Sequence, residues 1–423
     1  MRKKEIEALE ALERLAVPYQ GAVQADALVD RAGEATFVLI GEASHGTSEF
    51  YVERAELSKR LIMEKGFKFI AVEGDWPSCF VLNRYVKGDA SAGSIAADAL
   101  REFARWPTWM WANREIAAFA DWLRVYNDGR AEEDKVGFYG VDLYSLWESM
   151  DEILKYLGEK DGADLEAAKR AFECFEPHGR EEQQYGIAAN FYGEGCEAEV
   201  VALLRKLQDK WKTARSGDRE DALAAELNAL AVKGAEDYYR TMIRHDAESW
   251  NVRDRHMIAA LERLMAYHGP AARSIVWAHN THVGDARATD MAEEGMVNVG
   301  QLLRETHGAE VYAIGFGTYE GRVIAGRGWG RPLEAMKVPP AQPGSLEALL
   351  HRLEPADKLL LLGDAEQVLR ESPLGHRAIG VVYHPEYERG NYVPTALAER
   401  YDAFIFLDRT TALSPLAVEA AFS

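Results

Sequence analysis

A carboxylate and an imidazole stand three residues apart at the end of an apolar run. In TFVLIGEASHGTSEFYVERAEL, residues 36–57, Glu42 and His45 follow Phe37–Ile40. Such a pair can activate water. A neutral imidazole takes a proton from the water, and a carboxylate on its other nitrogen orients the ring and stabilises the imidazolium. Other apolar runs end in similar residue types. Glu73, Asp75 and Trp76 follow one, Asp142 another, and His279, Asn280 and His282 a third. Arg54 shares a helical stripe with Phe50, Leu57 and Leu61. A guanidinium on a core-facing stripe needs a partner, because an unpaired buried charge is costly. Glu42 and Glu73 are the candidates.

Each of these residues also has a plainer reading. Glu42–Arg54 can be a structural ion pair. His279 and His282 can stabilise a loop, and Asp142 can cap the turn before Tyr144. Trp106, Trp109 and Trp111 in RWPTWMWANRE (105–115) read more readily as a packing anchor than as a substrate wall. Ser44 suggests a hydrolase elbow, but G-x-S-x-G needs glycine at position 42, where Glu42 stands.

The elements that must position these groups are short apolar runs separated by helical patterns. The runs are TFVLIGE (36–42), KFIAVEG (68–74), KVGFYGVD (135–142), RSIVWAHN (273–280), EVYAIGFG (310–317), KLLLLGD (358–364), RAIGVVYH (377–384) and YDAFIFLD (401–408). Continuous runs suit strands covered on both faces, and their alternation with helices predicts an α/β fold with a mostly parallel central sheet. Ligands of such sheets bind beyond the carboxyl ends of the strands, where the polar residues collect. The stretch 145–267 is helical in period and carries no strand pattern. It reads as a helical insertion over the carboxyl end of the sheet, dividing the core into 1–144 and 268–423 and covering the mouth of a cleft.

Composition narrows the function. Of 423 residues 48% are hydrophobic, enough for a large core, and 49 Lys and Arg against 69 Asp and Glu give a net charge of −20. An acidic chain without a basic block repels phosphate backbones, so nucleic acid is not an expected partner. No apolar run has the length of a membrane span. The start, MRKKEIEALEALERL, is an amphipathic helix rather than a signal peptide. Cys79, Cys174 and Cys196 make neither a disulfide framework nor a zinc knuckle. A cytoplasmic protein is the resulting expectation.

Several stretches together resemble the erythromycin esterase family. They are GEASHGTSEFYVERAEL, IAVEGDWP (70–77), SWNVRDRHM (249–257), WAHNTHVGDAR (277–287), VYAIGFGTYEG (311–321), GVVYHPEYERGNY (380–392) and YDAFIFLDRTTALSPL (401–416). The resemblance implies an α/β domain with an added helical bundle and a cleft. It implies hydrolysis of an ester or macrolactone, as in macrolide resistance, with no cofactor and no metal. It carries the water-activating role to His45 and surrounds it with Glu42, Glu73, Arg54 and His279. His282, Asp142, Trp76 and Trp109 are supporting candidates. In the implied mechanism Glu42 or Glu73 orients His45, Arg54 keeps the carboxylates ionised or helps hold the oxyanion, and His279 stabilises the oxyanion or returns the proton. The expected partner is a small-molecule ester or lactone. Two rivals stand beside this reading. One is a metallohydrolase using Glu42, His45, Glu73, Asp142, His279 and His282. The other is a non-catalytic accessory protein of succinoglycan-type polysaccharide production.

Overall fold

The computed structural model of the chain describes residues 3–160, 162–178, 185, 195–242 and 246–417. Seven of the apolar runs form strands of one sheet: β2 (Phe37–Ile40), β3 (Phe69–Asp75), β4 (Gly137–Asp142), β5 (Ser274–Trp277), β6 (Val311–Gly326), β8 (Lys358–Leu361) and β11 (Ala403–Thr410). Two further strands, β1 (Ala16–Pro18) and β7 (Leu333–Val338), complete it. The order is β1-β8-β11-β6-β2-β5-β3-β4, with β7 on β6. β2 lies parallel to both β5 and β6, and β6 parallel to β11. β8 joins antiparallel on β11, β1 antiparallel on β8, and β7 antiparallel on β6. Every residue of β2 and β5 is buried, which is why their sequences run apolar without alternation. The fold is a mixed α/β one with a mostly parallel central sheet.

RAIGVVYH (377–384) departs from the expectation. It supplies only the last residue of β9 (Leu374–Arg377), which pairs with β10 (Tyr392–Thr395) in a separate two-stranded sheet. Beyond Arg377 the run makes single bridges, Ile379 to Ser44 and Val382 to Gly326. Its apolar residues have another use. Ile379 and Tyr383 pack with Val323, Ala325, Met336 and Val338 in a small core against the β6–β7 pair. Burial of this kind produces the same apolar pattern as a strand without requiring one.

The chain divides into two compact units. One comprises Met1–Ala71, Leu82–Phe138 and Ala272–Ser423, and the other Val72–Val81 and Tyr139–Ala271. The second unit contains the helices Leu146–Lys160, Gly162–Phe172, Glu197–Leu207, Lys210–Thr213, Arg219–Met242 and Asp246–His268. Trp147, Ile153, Leu157, Leu203 and Val232 are among its core residues. The reading of three separate cysteines needs correction here. Cys174 and Cys196 are joined by a disulfide, and Cys79 is free and buried. A separation of 22 residues between cysteines carries no motif, so only the folded path of the chain reveals the pairing. Among the described residues no helix is long and apolar enough to cross a membrane.

Candidate active site

The residue that follows β2, Gly41, has to be glycine for a steric reason. A Cβ there would stand 2.2 Å from Asn280 Oδ1. Gly46, four residues after Glu42, is tighter still: a Cβ would lie 1.9 Å from the Ile324 carbonyl oxygen. The two glycines let the turn 41–47 press between β6 and the turn after β5. Thr47 then takes the N-cap position of the helix Ser48–Lys65 with an extended backbone, but makes no side-chain cap bond. Its hydroxyl is engaged with that of Ser44 instead.

Within this turn Glu42 is fully buried and His45 nearly so. Glu42 accepts from His45 Nδ1 through Oε1 at 2.9 Å and from Arg54 Nη2 through Oε2 at 2.8 Å. A ring nitrogen facing a carboxylate carries the proton, so Nε2 of neutral His45 is the acceptor. Arg54 is fully buried, as its apolar stripe requires. Its guanidinium lies 4.3 Å from the Tyr51 ring centroid and 5.1 Å from that of Trp277.

His279 sits at the carboxyl end of β5, with its ring centroid 4.9 Å from that of His45. It caps the short helical turn Asn280–Val283, where its Nδ1 accepts from Thr281 N at 3.3 Å and lies 2.8 Å from Thr281 Oγ1. An accepting Nδ1 places the proton of the neutral ring on Nε2. The two neighbouring imidazoles are therefore complementary. His45 offers an accepting Nε2, and His279 a donating one. His282 is buried in the same turn and its backbone N–H closes onto the His279 carbonyl at 2.9 Å.

Glu73 and Asp142 lie in the second unit. Arg253, on the helix Asp246–His268, donates through Nη2 to Glu73 Oε1 at 2.7 Å and to Asp142 Oδ2 at 2.6 Å. Its Nε donates to Asp142 Oδ1 at 2.9 Å. Of the two glutamates offered as partners of Arg54 and His45, Glu42 is thus the one bonded to both, and Glu73 is held by Arg253. Burial alone would raise the Asp142 carboxyl, but Arg253 outweighs it and holds the group below the usual range. Arg253 was not singled out from the sequence. The signal was present, since Arg253 lies between Trp250 and Met257 on one helical face, as Arg54 does between Phe50 and Leu57. Trp76 is buried against Tyr139, ring centroids 5.7 Å apart, and Trp109 is buried too.

His256, also in the second unit, packs against Gly234, where a Cβ would stand 2.4 Å from its Nδ1. Burial pushes its pKa from 6.5 down to about 4. The unfolded chain therefore takes up this proton near 6.5, while the folded protein resists it until about 4. The stability due to neutral His256 is complete above that upper value and is lost as the pH falls between the two. The slope there reaches about 1.4 kcal/mol per pH unit. His256→Gln should flatten the acid limb between the two values, read as the difference in denaturation midpoint against pH between variant and wild type. Parallel limbs would show that the imidazole titrates normally.

Among the described residues no group of three or more His, Cys, Asp or Glu side chains is placed to hold a metal ion. Both oxygens of Glu42 are already engaged.

Comparison with known proteins bears on this site. The profile described as Erythromycin esterase matches residues 62–410. Glu42, His45 and Arg54 lie just ahead of that span. Erythromycin esterase type II of Escherichia coli is 28% identical over 111 residues, which is 26% of this chain and 24% of that protein. The chain thus spans about a quarter of this relative's length. Among solved structures, a Bacillus cereus protein aligns with a TM-score of 0.80 at 20% identity, covering 97% of this chain and 99% of the other. A succinoglycan biosynthesis protein aligns with a TM-score of 0.78 at 20% identity, covering 97% and 98%. An erythromycin esterase mutant, EreC in its open conformation, aligns with a TM-score of 0.66 at 17% identity, covering 93% and 95%. These three likenesses are of fold. The profile match over most of its length places this chain in the erythromycin esterase family.

Proposed function

We propose that the protein is a hydrolase of carboxylic esters or lactones that works by direct attack of water. The observation that carries this reading is the buried Glu42–His45 pair with the complementary His279 ring beside it. His45 Nε2 takes a proton from water as that water attacks the carbonyl carbon. Glu42 holds Nδ1 and balances the charge that develops on the ring. His279 Nε2–H donates to the oxygen on which charge collects, and the proton that His45 took from water passes to the departing alkoxide, which restores neutral His45. Arg54 holds the other oxygen of Glu42. With a lactone the two products remain one molecule, a hydroxy acid.

The mechanism differs from a serine hydrolase in one measurable way. No acyl-enzyme forms, so protein quenched during turnover of an ester should show only its unmodified intact mass. Purified protein screened against esters and lactones would supply a substrate for that measurement. A covalent acyl adduct that forms and decays with turnover would overturn direct water attack. Absence of turnover across the whole panel would count against the hydrolase reading itself.

Metal-independence is part of the proposal. It is supported by Arg54, whose fixed positive charge sits on the carboxylate a cation would need, and repulsion at that range in a buried site is strong. Activity should survive exhaustive chelation. Loss on chelation with recovery on adding one equivalent of zinc or manganese would favour a metallohydrolase.

A further inference from the structure

Asn280 follows His279, and every polar atom it has is engaged. Its backbone N–H donates to the Glu42 carbonyl at 2.9 Å, and its carbonyl accepts from Gly284 N and from Arg400 Nη2, both at 3.1 Å. Its side-chain Oδ1 accepts from Phe316 N at 3.3 Å, and its Nδ2 donates to the Phe316 carbonyl at 2.7 Å. These two bonds to a single residue of β6 identify which side-chain atom is the oxygen and which the nitrogen. Nδ2 is then 3.1 Å from His376 Nε2. His376 must accept there, so its own proton is on Nδ1, where it is donated to Glu347 Oε1 at 2.6 Å. The same Glu347 oxygen accepts from Arg377 N at 2.8 Å. Asn280, His376 and Glu347 are all fully buried. No step of the proposed chemistry employs this chain of groups, although it ends at the backbone joining Glu42 to the His279 turn.

We infer that His376 is a positioning residue of the hydrolytic site: held by Glu347, it fixes Asn280 and thereby the distance and tilt between the His45 and His279 rings. This rests on the reading of those two rings as the working pair. Asn280 is bonded at once to the Glu42 backbone, to β6 and to the His279 turn. Its last N–H is the only one of these bonds that a side chain from elsewhere in the chain receives. A buried amide left without that acceptor turns to find another, and the His279 turn moves with it. Displacement of about 1 Å between reacting groups lowers rates by about 10²-fold.

The test compares His376→Leu, which removes the acceptor, with His376→Gln, which restores one. With an ester found in the panel, the leucine variant should lose about 10²-fold in kcat with KM within about twofold of wild type, and the glutamine variant should recover to within about tenfold of wild type. A second readout needs no substrate. Imidazole ¹⁵N spectra of the full-length protein, with signals assigned from His45→Asn and His279→Asn, should show both rings shifted in the leucine variant and near wild type in the glutamine variant. Wild-type spectra in a folded leucine variant would overturn the proposal. So would equal losses of kcat in the two variants, which mark a purely structural role. Should the leucine variant not fold, Glu347→Gln decides: a shifted His279 signal supports the proposal and an unshifted one overturns it. If wild-type protein hydrolyses nothing, the hydrolase reading fails by itself and the spectra still decide this one.

Discussion

His45→Ala protein should fold as the wild type does and hydrolyse esters about 10²–10⁴-fold more slowly, the range that general base catalysis supplies. The loss should fall on kcat, because His45 acts on the attacking water and not on the bound substrate. The ring is nearly buried but lies in a turn set by glycines and backbone bonds, so its removal leaves that turn in place. Thermal unfolding and circular dichroism check the fold, and initial rates with the same ester check the chemistry. Retention of more than about a tenth of the rate would remove His45 from the role. Glu42→Gln should cause a smaller fall and change the pH dependence of kcat/KM, since an amide can no longer balance the imidazolium.

The second large effect is on stability. Arg54→Met should lower unfolding stability by about 3–5 kcal/mol, the cost of leaving a buried carboxylate without its cation. Both members of the pair are fully buried, so solvent does not screen the loss. Adding Glu42→Gln to Arg54→Met removes the stranded charge. The double variant should therefore be more stable than Arg54→Met alone while remaining inactive. Denaturant midpoints for the three proteins give the comparison. A single Arg54→Met variant with the wild-type midpoint would mean that the pair contributes nothing net.

The sheet was legible because its central strands are buried on both faces and have to be apolar throughout. TFVLIGE and RSIVWAHN could hardly be anything else. The same logic misled at RAIGVVYH, where an apolar run fills a small separate core and makes only single bridges. Arg54 was legible as a charge on an apolar stripe, and its partner then had to be an acid nearby. Which acid was not legible, because Glu42 and Glu73 both follow apolar runs of the same kind. The Glu347–His376–Asn280 chain left no trace in sequence. Its members come from three distant segments, and each alone reads as an ordinary polar residue. The disulfide was hidden in the same way.

The register of β2 also sets an order of events during synthesis. Its Phe37 pairs with Ser274 on one side and with Val311 on the other. This early strand therefore has no sheet neighbours until β5 and β6 have been made. Closing loops that long costs chain entropy before any contact repays it, whereas the helix pairs of the second unit meet over short separations. The helical unit can be compact while β2 is still an open apolar edge, which is the kind of nascent surface that chaperones cover. Glu42 and His45 are thus translated early, and the turn that holds them is among the last parts of the sheet to gain its neighbours.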